Sequence, residues 1–107
     1  RNFKDYVGGT MIYDAGTTNV ATAGTEVQIS NTTNRVRWIK VKALAGNSNK
    51  VYLGVSDVTA SNGYELSAGN EIEISFGEQG GTVPFSTFYV DAATNNDKIC
   101  WSVILDG

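Results

Sequence analysis

Apolar and polar residues alternate along most of this chain. In EIEISF, Ile72, Ile74 and Phe76 share one side, and Glu71, Glu73 and Ser75 take the other. KICWSVIL groups Ile99, Trp101, Val103 and Leu105, KVYLGV groups Val51, Leu53 and Val55, and EVQIS groups Val27 with Ile29. STFYVDA sets Phe88 with Val90, and in RVRWIKVKAL the residues Ile39, Val41 and Ala43 oppose Lys40 and Lys42. A period of two is what half-buried antiparallel strands require. No window sustains apolar residues at helical spacing, and β-branched residues dominate. The stretches NTTNR, AGNSNK, SAGN, GEQGG and ATNNDK are rich in the residues that tolerate tight turns. The pattern predicts an all-β fold with negligible helix: an antiparallel β-sandwich, jelly-roll-like, of about seven to eight short strands.

The segment 1–20 reads differently. It carries Phe3, Tyr6, Met11, Ile12 and Tyr13, but glycines interrupt it. It is expected either as an arm gripping a neighbouring molecule or as a first strand, with the sandwich domain over 21–107. Exposed aromatics on an arm favour a partner, because burying each contributes a few kcal/mol.

Length and charge narrow the function. The 107 residues suit one domain, and charged residues make up 18%, below the usual quarter. Thr, Asn, Ser and Gly fill the surface instead, which suits contact with other protein. The net charge is −3, and of the basic residues only Arg35, Arg37, Lys40 and Lys42 cluster, so no nucleic-acid partner is expected. No apolar run is long enough for a membrane helix. Arg1 in place of Met implies a start that lies upstream or was processed. A single cysteine, Cys100, excludes an intrachain disulfide, and its apolar neighbours predict a buried, inert thiol.

Chemistry is sparse. The chain has no histidine, which removes the usual nucleophile–base triads and the commonest zinc ligand. Glu71 and Glu73 lie two apart on one strand, about 7 Å by strand rise; they are expected on a solvated face rather than in a glycosidase. In VYLGVSDVTASNGYELSAG, Asp57 with Ser56, Thr59, Ser61 and Asn62 offers oxygens, but one carboxylate makes a poor calcium site. Neither an enzyme nor a cofactor is expected. By parity Trp38 shares a face with Lys40 and Lys42. A bulge between Trp38 and Ile39, turning the indole inward, is the favoured expectation. The alternative is an exposed ring able to stack a sugar or anchor a protein.

Three stretches carry a resemblance: AGTEVQIS, then VRWIKVKALAGNSNKVYLGVSDVTASNGYELSAGNEIEI, then FYVDAATNNDKICWSVI. They resemble small β-sandwich virion proteins of tailed bacteriophages, of the capsid decoration (cement) or head-fibre type, over about residues 23 to 105. The shared features are V-Y-x-G-x-S-x-V, N-G-x-x-L-x-x-G and a closing YVDA hairpin. Ala45 stands where proline is common, and Val55 where a second glycine is frequent. The resemblance implies a noncatalytic protein on the capsid surface of the virion. Its implied partners are the major capsid protein and itself, as a homo-oligomer, expected as a trimer. The alternative is a carbohydrate- or receptor-binding module of a fibre or tail. That module would meet host glycans through Trp38, Tyr52 or Tyr64, beside Lys40 and Lys42.

Overall fold

The computed structural model describes residues 11–76 and 81–107. Eight strands fill them: β1 (Met11–Val20), β2 (Val27–Gln28), β3 (Val36–Ala43), β4 (Val51–Gly54), β5 (Tyr64–Leu66), β6 (Glu71–Ser75), β7 (Tyr89–Ala92) and β8 (Asp97–Asp106). The one helical piece among these residues is a 3-10 turn, Phe85–Thr87. Two four-stranded antiparallel sheets result, ordered β1-β8-β3-β6 and β2-β7-β4-β5. Strand β1 pairs with β8, β2 with β7, β3 with β6 and β4 with β5. This nesting is one long hairpin, bent between β4 and β5. It is rolled until β8 also meets β3 and β7 also meets β4. The fold is a jelly roll.

The alternation in the sequence becomes the core. Ile39, Val41 and Ala43 of β3 and Ile99, Val103 and Leu105 of β8 face Val51, Leu53 and Val90 of the second sheet, all buried. YEL forms the three-residue strand β5, whose Leu66 is buried. It is too short for a period to register. Phe85, one of the largest fully buried side chains, enters from the 3-10 turn after Pro84 rather than from a strand.

Trp101 fastens one end of the roll. It lies opposite Gly16, and a Cβ there would sit 2.7 Å from its Cζ2. The bare glycine therefore gives the indole its seat. The ring meets Phe85 edge-on at 5.0 Å. Its Nε1 donates to Thr18 Oγ1 at 3.0 Å, and that hydroxyl donates to the Ile29 carbonyl at 3.3 Å. One relay thus satisfies two partly or fully buried polar groups and ties β1 to the segment following β2.

The connection between β4 and β5 is a plug. Val58 is buried, and Cβ atoms at Gly54 and Gly63 would each fall within 2.7 Å of its Cγ2. Side chains close the loop on itself. Asn62 Oδ1 accepts the Thr59 N–H, and its amide donates to the Asp57 carbonyl. Gly54→Ala and Gly63→Ala are each expected to cost about 1–3 kcal/mol through overpacking, read as a lower urea midpoint at unchanged slope.

The structure corrects two expectations and bears on a third. The bulge exists, but at Arg37: the register with β8 shifts between Val36 and Trp38. The extra residue lets Val36 and Ile39 both point inward and keeps Trp38 on the outer face with Lys40 and Lys42. Cys100 is half-buried rather than buried, because β8 parity sets it on that outer face, opposite Thr17 and Lys42. Of the two alternatives for the N-terminal segment, Met11, Ile12 and Tyr13 take the strand one: they lie in β1, paired with β8. Phe3 and Tyr6 lie outside the described residues.

Candidate docking surface

Strand register brings the outward side chains of the β1-β8-β3-β6 sheet into rows. One row runs Tyr13, Ile104, Trp38, Ser75 across the four strands. Met11 lies beside it, two residues before Tyr13 on the same side of β1. Tyr13 is 67% exposed and Met11 50%, while Ile104 and Trp38 are half-buried. Adjacent strands lie about 4.8 Å apart, so the two rings are separated by one aliphatic side chain. The result is an apolar, aromatic row on an open sheet face.

Polar groups frame it. Trp38 Nε1 donates to Glu73 Oε2 at 2.6 Å, which tethers the indole to the neighbouring strand β6. Arg37 Nε donates to Asp106 Oδ1 at 2.7 Å beyond the row, and Lys40 Nζ meets Glu71 Oε2 at 3.2 Å on the other side. Such exposed pairs contribute at most about 1 kcal/mol each; here they orient side chains more than they stabilise. The next rows are Ala15, Ser102, Lys40, Glu73 and Thr17, Cys100, Lys42, Glu71. Lys40, Lys42, Glu71, Cys100 and Ser102 line a shallow open depression there.

The sequence-derived candidates therefore divide. Trp38, Lys40, Lys42 and, from the N-terminal set, Met11 and Tyr13 share one face. Ile12 points to the opposite side of β1, level with Leu105. Tyr52 is 7% exposed: it lies on the outer side of the second sheet, but the Val58 loop and Gly63 cover it, so it offers no stacking platform. Tyr64, 57% exposed, stands on edge strand β5 of that other sheet, apart from Trp38. Ile104 was absent from the sequence-derived set. Its signal was an aliphatic residue out of phase with Val103 and Leu105.

Glu71 and Glu73 do share the outer face, and their carboxylates are engaged by Lys40 and Trp38. Around Asp57 the loop's polar atoms serve its own turns. Among the described residues no group of three or more His, Cys, Asp or Glu is placed to hold a metal ion. Two buried carboxylates lie elsewhere and tie loops down. Asp91 Oδ1 accepts the N–H groups of Gly24 at 2.9 Å and Ala92 at 2.7 Å, and Asp97 accepts those of Ser48 and Asn49, both at 2.9 Å.

No protein-family model matches the chain, and no curated protein matches it. Among solved structures, it is similar to one from work titled "Bacillus endospore appendages form a novel family of disulfide-linked pili". That match has a TM-score of 0.49 at 15% identity, and covers 92% of this chain and 90% of that one. It is also similar to the SPBc2 prophage-derived protein YomS, with a TM-score of 0.44 at 11% identity, covering 90% of this chain and 96% of that one.

Proposed function

We propose that this protein is a noncatalytic structural component of a tailed-phage virion, a decoration protein that seats on the outside of the capsid. The observation that carries the reading is the row of Met11, Tyr13, Ile104 and Trp38 on an open sheet face. Aromatic anchors inside a polar rim are the composition that protein interfaces favour. The polar groups nearby are already engaged with one another, so the face offers contact area rather than reactive atoms. The resemblance of the sequence to phage virion β-sandwiches supplies the setting, and the major capsid protein is the partner. A stable seat needs about 800 Å² from each side, more than this row alone, so flanking side chains such as Lys42 and Thr17 join the contact.

Trp38→Ala tests this. The indole is half-buried on an outer face, so its loss is expected to cost the fold no more than about 1–2 kcal/mol. Binding to capsids is expected to weaken roughly thirtyfold or more, the loss of one interface anchor of about 2 kcal/mol. Cosedimentation with purified capsids reads the effect; equal occupancy by the variant and the parent would remove this face from the contact.

A second reading has one observation in its favour: an indole tethered by Glu73 beside Lys40 on an outer face is also a sugar platform. Titrating host polysaccharides while following tryptophan fluorescence separates the two. Quenching that vanishes in Trp38→Ala, with no capsid binding, would favour a glycan-binding fibre or tail module.

A further inference from the structure

Strand β1 is a ten-residue edge of its sheet with no lysine and no proline, and Asp14 is its one charge. The other edges are shorter or guarded by charge. Strand β2 has two residues, β5 has three with Glu65 among them, and β6 carries Glu71 and Glu73. An edge without such guards invites another strand. Its hydrogen-bonding direction follows from β8. Asp106 N–H donates to the Arg35 carbonyl, and the Lys98 carbonyl accepts from Leu44 N–H, so even-numbered residues of β8 bond β3. Odd-numbered ones bond β1, through Ile12, Asp14, Gly16 and Thr18. The backbone groups of Met11, Tyr13, Ala15, Thr17 and Asn19 therefore point away from the sheet. Ala15 N–H is met by Asp14 Oδ1, its own neighbour, at 2.9 Å. Among the described residues the other four N–H groups have no partner.

This edge is open on both faces. Ile12 lies on the inner side, level with buried Leu105, yet it is 41% exposed, because β2 is only two residues long and does not extend over it. On the outer side Met11 and Tyr13 are exposed. Apolar side chains and open backbone groups thus coincide along one strand.

We propose that β1 of one copy pairs antiparallel with β1 of a second copy about a two-fold axis at Ala15, joining their β1-β8-β3-β6 sheets into one. A second copy is the occupant because this edge complements itself. The outward groups require odd residues to oppose odd residues, so the axis passes through a residue of β1. An axis at Asp14 sets the two carboxylates face to face, and like charges oppose that. An axis at Ile12 or Tyr13 leaves the second half of β1 unpaired. An axis at Gly16 leaves Met11 outside and sets Tyr13 against Asn19. With the axis at Ala15, β1 pairs along residues 11–19, and each odd pair exchanges two hydrogen bonds. Tyr13 then stands opposite Thr17 of the second copy, an aromatic and β-branched pair that favours a sheet. Ile12 stands opposite Thr18, and Asp14 meets the bare backbone of Gly16. The outer faces of both copies lie on one side of the joined sheet, so their apolar rows open in the same direction. This joint goes beyond the capsid reading and does not depend on it, since it forms without capsids.

Native mass and sedimentation velocity of the full chain, over a range of concentrations, are the test. The parent is expected to move from 11.4 kDa to twice that mass as concentration rises. Ala15→Pro removes the N–H at the axis, which bonds no other strand of its own chain, so the internal ladder is kept. It should raise the dissociation constant at least about thirtyfold. Ile12→Lys places a charge on the inner side of the edge and should raise it at least about tenfold; it carries the test if proline disturbs the fold. Cross-linking in a Cys100→Ser background reads the register. Ala15→Cys should form a disulfide between copies, since the facing Cα atoms lie about 5.5 Å apart, and Tyr13→Cys should not. A parent that is monomeric at every concentration would overturn the proposal, as would a trimer or an open series of larger species. Association unchanged in both Ala15→Pro and Ile12→Lys, or cross-linking through Tyr13→Cys in place of Ala15→Cys, would do the same. Failure of capsid binding with this pattern intact would bear on the decoration role alone.

Discussion

Trp101→Ala is expected to be the most damaging single substitution in the described part of the chain. Removing a large aromatic from a packed site costs about 3–5 kcal/mol, and three further losses act here. Phe85 loses its edge-on partner, Thr18 Oγ1 loses its donor, and the bare backbone at Gly16 is left uncovered. For a domain of this size each kcal/mol moves the melting temperature by about 4–8 °C, so a fall of at least about 12 °C is expected by calorimetry. Trp101→Phe should recover part of it, because a smaller ring still covers Gly16 while the indole donor to Thr18 Oγ1 stays missing. Gly16→Ala should damage the same spot from the other side, through the 2.7 Å approach of its Cβ. A melting temperature unchanged in Trp101→Ala would contradict this account of how the two sheets are fastened.

Asp97→Ala should come next. The carboxylate is buried and accepts two backbone N–H groups, Ser48 and Asn49, holding the β3–β4 connection against the start of β8. Alanine leaves both donors without that acceptor, at about 1–3 kcal/mol for each that stays buried. The total is expected near 3 kcal/mol, some of it relieved if water enters. Asp97→Asn keeps one acceptor oxygen and should cost about half as much. Urea unfolding measures both, and faster amide exchange at Ser48 and Asn49 would localise the loss.

These two anchors mark where sequence reading ended. Alternation along EIEIS and KICWSVIL gave the correct inner set, because a strand in a two-layer sandwich has one dry face and a strict period of two. The all-β class and the jelly-roll form followed from it and from the turn residues. Asp97 looked like a turn residue; only the fold brings the 44–50 connection to its carboxylate. Phe85 enters the core from a 3-10 turn, which carries no period. Trp38 shows the sharpest limit. A bulge was expected to turn it inward, and a bulge is present, but one residue earlier, and that offset decides the face.

The candidate surface was half legible. Trp38, Lys40 and Lys42 were grouped from parity within one strand. The Tyr13–Ile104–Trp38 row depends on β8 lying between β1 and β3, and strand order leaves no local trace in a chain. Tyr52 was misplaced for a related reason: parity put it on an outer face, but the Val58 loop folds over that face, with Gly54 and Gly63 making room for it.

The most direct test of the proposed virion role is to express the tagged chain during infection by a tailed phage whose genome carries it, if one does, purify the virions and count its copies on the head. Quantitative mass spectrometry would give the count, and cryo-electron microscopy the position. The account predicts many copies on the outer capsid surface, with the β1-β8-β3-β6 face against the major capsid protein and with occupancy reduced in Trp38→Ala. Absence of the protein from purified virions would contradict it.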